Sequence, residues 1–176
     1  LITNISYAHI QNFKNLSHIA KAKGEMIDNI IPNGTMIINM DDKYYKYFLK
    51  KALKNRLESF TFSIRNHRAD IVFLGKKKIK NSYLFKIKIK SIVKSFLISK
   101  ELSNYKENIL ASLGIITNYF DIENLNKNLF QGFCIPKSRG SLTQLKKGSK
   151  KLTILDETYN SNPLSLKFAL KRFNTI

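Results

Sequence analysis

The sequence predicts an α/β fold in which a parallel sheet is joined to a small antiparallel portion. Three observations lead there. Short β-branched or apolar runs alternate with amphipathic helical stretches, as where Thr35-Met36-Ile37-Ile38-Asn39-Met40 is followed by Tyr45, Phe48, Leu49 and Ala52 at helical spacing. Lys86, Lys88 and Lys90 alternate with Phe85, Ile87 and Ile89, the period of a strand with one solvated face, inside a hairpin region at 83–98. Finally, Leu152-Thr153-Ile154-Leu155 reads as a buried strand that leads through a polar turn into a helix carrying Leu166, Ala169, Leu170 and Phe173.

In chain order, residues 1–6 read as a strand running out at Tyr7-Ala8-His9. Ser17 is placed to cap a helix reaching about Ile31, with Ile19, Met26, Ile27 and Ile30 on one stripe and Lys23 in its middle. A lysine so placed must snorkel out, find a partner or lose its charge. Asn33-Gly34 is a turn, and Asp41 and Asp42 open the next helix, where the dipole favours carboxylates. Short strands follow at 60–64 and 71–74. A helix over 108–120 turns Ile109, Leu113, Ile116 and Phe120 inward, a shorter helical segment covers 121–129, and 131–135 reads as a strand. Residues 136–140 form the one convincing linker, so a first domain is expected over 1–135 and the start of a second over 141–176. Asn162 fits as N-cap of the last helix, with Pro163 at its first position.

A net charge of +19 invites a nucleic-acid reading. The cations are overwhelmingly Lys, and Ile and Asn are abundant too, the bias that A/T-rich coding produces. A phosphate reader would be richer in Arg, whose fork matches phosphate, and would interleave aromatics as stacking platforms. A basic nucleic-acid-binding module is therefore the alternative, and no nucleic-acid partner is expected. A hydrophobic content of 43% is that of a globular chain. No apolar run approaches the roughly 18 residues of a membrane span. The lone Cys134, read as a buried thiol, suits a reducing cytoplasm. Both ends read as cut: the chain opens inside a strand-like run without Met and stops just after one helix.

The turn Asp156-Glu157-Thr158-Tyr159-Asn160-Ser161-Asn162-Pro163 holds more polar groups than a turn requires, and lies where ligands sit in open α/β sheets, outside a strand's carboxyl end. It resembles the Asp-Asp/Glu-Ser/Thr-Tyr-Asn-Ala-Asn-Pro signature of the Mur ligase family. Thr3-Asn4-Ile5 with Ala8-His9-Ile10, and Lys21-Ala22-Lys23-Gly24-Glu25, look like two further family segments, with the family's spacing between histidine and lysine. Asn39-Met40-Asp41-Asp42 resembles its Asn-Ala-Asp-Asp. Thr61-Phe62 and Ala69-Asp70 resemble its Thr-Phe-Gly…Ala-Asp pair, with Ser63 in place of the glycine. Arg139-Gly140 matches the arginine of the family's interdomain linker. Of a Gly-x-His-x-x-x-Asn pattern only Asn108 is kept, and the 176 residues contain no Gly-rich phosphate loop.

The resemblance implies the second half of a central ATP-binding domain followed by the first β-α unit of a Rossmann-like C-terminal domain. It implies an ATP-dependent acid–amino-acid ligase of peptidoglycan precursor synthesis, of the branch that joins D-Ala-D-Ala to UDP-MurNAc-tripeptide through an acyl phosphate. Other ligases of the superfamily, adding other residues to the precursor or glutamate to folate, are the nearer alternatives. ATP and magnesium are the implied cofactors. Lys23, as a carbamate, and His9 are implied as catalytic and metal-facing. Asn39, Asn108, Arg139, Glu157 and Asn160 are implied to contact the nucleotide. The implied partners are the two substrates and the missing N- and C-terminal portions of the same enzyme. With no phosphate loop of its own, the chain alone is expected to be inactive.

Overall fold

The computed structural model describes residues 1–7, 13–159 and 163–173. These divide into two compact units. The first takes in Leu1–Ile5 and the described residues 13–131, and the second takes Ser6, Tyr7 and the described residues from Gly132 onward.

The first unit is built on a five-stranded sheet in the order β1 (Thr35–Asn39), β2 (Glu58–Ser63), β3 (Ile71–Ile79), β4 (Ser82–Ile89) and β5 (Ile92–Ser99). The first two pairings are parallel and the last two antiparallel. Four residues of β1 in a row are buried because helices cover both of its faces. On one face, Met36 and Ile38 pack with Ile27 of α1 (Leu16–Asp28) and with Phe48 and Ala52 of α2 (Tyr45–Lys54). On the other, Ile37 joins Phe62, Ile71, Phe85, Ile87 and Phe96 beneath α3 (Lys106–Ile116). A Cβ on Gly114 would come within 3.0 Å of the Ile37 side chain, so the absence of one lets α3 sit close on β1.

Only Phe62↔Ile71 and Ser63↔Val72 join β2 to β3. Since the pairing is parallel, the antiparallel ribbon β3–β5 runs on past the carboxyl ends of β1 and β2. The hairpin region carries Phe85, Ile87 and Ile89 inward, with Lys86 and Lys90 exposed and Lys88 half-buried, as the alternation predicts.

Several local expectations are corrected. Residues 1–6 form no full strand: Ile2 makes one parallel bridge to Ile38. Asn15, not Ser17, caps α1, its side chain accepting from His18 N at 3.0 Å, and the helix ends at Asp28 rather than Ile31. Its buried residues are Ile19, Ala20, Gly24 and Ile27, so the buried stripe is turned away from Met26, while Lys23 stays within its arc; both are exposed. A Cβ on Gly24 would meet the Tyr47 hydroxyl at 2.8 Å, so its absence lets that ring close on the helix. Asp41 and Asp42 precede α2 instead of opening it. The Phe120 side chain lies beyond α3 and is exposed. Residues 121–129 contain one 3₁₀ turn, Ile122–Asn124, and 131–135 contain no strand.

In the second unit, β6 (Ser141–Lys147) and β7 (Lys150–Asp156) form an antiparallel hairpin. Gly148, with φ 61°, takes the first central position of its two-residue turn, the place of glycine in a type II′ turn. The sequence shows β7 but not β6, whose Gln144, Lys146 and Lys147 mask its pairing. Leu152 and Ile154 are exposed, not buried. Helix α4 (Pro163–Phe173) forms, yet Leu166, Leu170 and Phe173 are exposed and it buries Ala169 and Arg172. Cys134 is exposed rather than buried. The expected cap Asn162 lies outside the described residues.

Candidate functional site

Along the carboxyl edge of β1 and β2, short polar side chains tie the chain's turns into one network. Asn39, 3% exposed, donates from Nδ2 to Thr3 O at 2.8 Å and accepts Asp41 N on Oδ1 at 2.9 Å. Asp42 accepts Ile5 N at 2.7 Å and Tyr44 N at 2.8 Å. The 1–6 segment is thus held by amide and carboxylate side chains where a strand ladder was expected. Lys23 Nζ donates to Asn4 O at 3.2 Å from a solvent-exposed position. Of the three outcomes open to a lysine in this stripe, Lys23 snorkels and finds a partner: its amino group reaches out of the α1 face to solvent and Asn4 O.

The network continues to β2. Asp41, with only 9% of its side chain exposed, accepts Ser63 Oγ at 2.7 Å and Ile64 N at 2.6 Å, with Arg65 Nε at 3.6 Å. Ser63 Oγ also accepts Arg65 N at 3.0 Å and Asn66 N at 2.6 Å. The serine that replaces the family's glycine thus organises the whole β2–β3 connection. Asp70 closes that connection by accepting Thr61 N at 2.7 Å and Thr61 Oγ1 at 2.6 Å. At the first turn of α3, burial pushes the Glu107 carboxyl above its ordinary value; Asp41 adds to this, Arg65 opposes it, and Asp42 adds a little more. The neighbouring Asn108 is exposed, its carbonyl accepting Ser112 Oγ.

The second unit gathers Arg139 and Glu157. The Arg139 guanidinium lies over the Tyr159 ring, 4.1 Å from its centre. Tyr159 N donates to Ser138 O at 3.0 Å, and Ser138 Oγ to Asp156 Oδ2 at 3.2 Å. Asp156 Oδ1 accepts Thr158 Oγ1 at 2.7 Å and Thr158 N at 3.1 Å, and these bonds, the hydroxyl's foremost, hold its carboxyl below its ordinary value. Burial raises the Glu157 carboxyl; Arg172 pulls it back and Asp156 pushes it further up. Sequence reasoning missed Tyr159 as the platform for Arg139, Asp41 as the clamp on β2, and Arg172. The signal for the first two lay in motifs already singled out; nothing pointed to the third. His9 and Asn160 lie outside the described residues, and among the described residues no three His, Cys, Asp or Glu side chains are grouped to hold a metal.

An open sheet with its polar network at the carboxyl edge, followed by a strand, an acidic turn and a helix, is the layout of α/β proteins that bind ligands outside the carboxyl ends of their strands. Residues 1–116 match the Mur ligase middle domain, and the chain belongs to that family. It is 33% identical over 187 residues to the UDP-N-acetylmuramoyl-tripeptide–D-alanyl-D-alanine ligase of Buchnera aphidicola from Acyrthosiphon pisum, spanning 97% of this chain and 37% of that protein. Among solved structures, MurF from Acinetobacter baumannii superposes with a TM-score of 0.76 at 22% identity, over 97% of this chain and 36% of that one. MurF from Thermotoga maritima, solved in complex with ADP, superposes with a TM-score of 0.70 at 19% identity, over 96% and 37%. The chain thus spans little more than a third of these relatives, and the five-stranded mixed sheet with its separate hairpin is the Mur ligase fold.

Proposed function

We propose that the chain is the second half of the ATP-binding domain, and the opening β-α unit of the C-terminal domain, of a ligase that joins D-Ala-D-Ala to UDP-MurNAc-tripeptide. The observation that carries this reading is the 33% identity to such a ligase across 97% of the chain. In this reading Arg139 binds an anionic oxygen of the nucleotide, since guanidinium pairs with phosphate in a fork, and Tyr159 holds its plane. Glu157 accepts from a ribose hydroxyl, Asn160 is a further nucleotide contact, and Asn108, exposed at the start of α3, presents its amide to the adenine edge. Asn39 acts from beneath: both ends of its amide are engaged, so it shapes the edge that receives the nucleotide.

Lys23 and His9 are the proposed metal-facing pair. The described residues do not by themselves assemble a magnesium site, and Lys23 Nζ serves there as a hydrogen-bond donor to Asn4 O. Magnesium, when bound, supplies charge compensation for phosphoryl transfer to the peptide carboxylate. Carbamylation of Lys23 would exchange its bond to Asn4 O for an anionic ligand.

The test uses the uninterrupted reading frame containing this chain. Phosphate release from ATP should require both UDP-MurNAc-tripeptide and D-Ala-D-Ala. Release supported instead by UDP-MurNAc with L-alanine, or by folate with glutamate, would assign a different ligase of the family. No release with any acceptor pair would refute the reading.

A further inference from the structure

Arg172 is the only charged side chain among the buried residues described, at 4% exposed. Arginine is almost never fully buried unless it is paired. From the last turn of α4 its Nη1 donates to Gly140 O, while Gly140 N donates to Asp156 O at 2.7 Å. The peptide groups flanking Gly140 are thus clamped from both sides, one residue after Arg139. The same guanidinium acts on the Glu157 carboxylate across the turn. Replacing a buried charge with a hydrophobe of similar volume is often neutral or stabilising, so burial of the guanidinium calls for a reason other than stability. A buried guanidinium set between the two proposed nucleotide contacts has a use that a leucine lacks.

We propose that Arg172 is a positioning residue of the nucleotide site, fixing from the last turn of α4 the backbone between Arg139 and the strand that leads to Glu157. The assignment rests on the nucleotide reading of Arg139 and Glu157. Among the described residues two charged groups act on the Glu157 carboxylate, Arg172 from α4 and Asp156 from its own strand, with opposite effects. Without the guanidinium, burial and Asp156 act unopposed, and the carboxylate takes up a proton at higher pH.

Two readouts in the full-length ligase separate this from a structural role. The first follows the Glu157 side-chain carboxyl by carbon-13 NMR in the native protein, Arg172→Met and Arg172→Lys. Its titration should move up by about one pH unit, a tenfold change in proton affinity, in Arg172→Met and stay near the native position in Arg172→Lys. The second is the pH profile for ATP between about pH 5.5 and 8.5. Arg172→Met should raise the KM for ATP only toward the acid end of the profile, by up to about tenfold where Glu157 is mostly protonated in both proteins, with kcat little changed, and shift the acid limb of kcat/KM upward by about one pH unit. In a Glu157→Gln background the shift of the acid limb should vanish. An unmoved Glu157 titration overturns the proposal, whether or not ligase activity is found. So does a lower melting temperature with an unmoved KM and acid limb. Where Arg172→Met fails to fold, Arg172→Lys decides: a Glu157 titration displaced as far as burial alone would take it refutes the charge role. An absence of ligase activity in the native protein counts against the ligase reading, and the titration still tests Arg172.

Discussion

Replacing Asp41 with alanine removes the carboxylate that ties the end of β1 to the end of β2. It accepts Ser63 Oγ at 2.7 Å and Ile64 N at 2.6 Å with only 9% of its side chain exposed. Hydrogen bonds to a charged group contribute about 1.5–3 kcal/mol each, so the gross loss is about 3–6 kcal/mol. Two effects reduce it. Ile64 is only half-buried, so water can reach its N–H, and Ser63 Oγ keeps its bonds from Arg65 N and Asn66 N. The expected destabilisation is about 3 kcal/mol, or about 6–12 °C in melting temperature for a chain of this size. Asp41→Asn should lose about half as much. Its Oδ1 can still accept Ile64 N, but its amino group meets a serine oxygen whose lone pairs already serve two backbone donors. Urea and thermal unfolding followed by far-UV circular dichroism give both numbers. Asp28→Ala is the control: its ion pair with Lys51 at 2.6 Å lies at the surface and should leave the midpoint unchanged. A loss below about 0.5 kcal/mol for Asp41→Ala, or equal losses for alanine and asparagine, would refute the clamp.

Glu107→Gln should stabilise the protein at neutral pH and make no difference at about pH 4. The folded carboxyl is raised above 4.5, so the native state binds the proton more tightly; the penalty for its ionised form is absent below the unfolded value and complete above the folded one. Urea midpoints at the two pH values test this, and equal gains at both would contradict it. Gly114→Ala should destabilise by about 1 kcal/mol despite the gain in helix propensity, because its Cβ would lie 3.0 Å from Ile37 on a strand held from both faces; a gain in stability would show that β1 yields. Lys23→Ala in the full-length ligase should abolish turnover and shift the urea midpoint by less than about 1 kcal/mol, since the side chain is exposed and makes one bond, to Asn4 O. Near-normal turnover would remove Lys23 from the mechanism, and restored activity with small carboxylates would support the carbamate.

Where hydrophobic period and turn chemistry were strong, the elements could be read directly. Residues 35–39, the alternation at 85–90 and the Pro163 helix start all formed where expected. The motifs at Asn39, Lys23, Arg139 and Glu157 could also be named, because they are short strings whose residue types carry the chemistry. Reading failed where a partner distant in sequence decided the outcome. Strand β6 is hidden because its Lys146 and Lys147 pair with the equally polar Lys151 and Lys150, so no apolar alternation marks it. The face of α1 was placed too far toward Met26 because Tyr47, from another helix, packs at Gly24 on the other side of the stripe.

The sequence by itself determined the α/β class, the parallel-to-antiparallel order and the family, since these rest on local period and contiguous motifs. Only the tertiary structure decided that Lys23 reaches Asn4 from solvent, that Asp41 clamps Ser63, and that Arg172 lies buried beside the Glu157 turn. Each of these joins residues 15 or more positions apart, and a local pattern of side chains holds no information about which distant backbone group will come within reach.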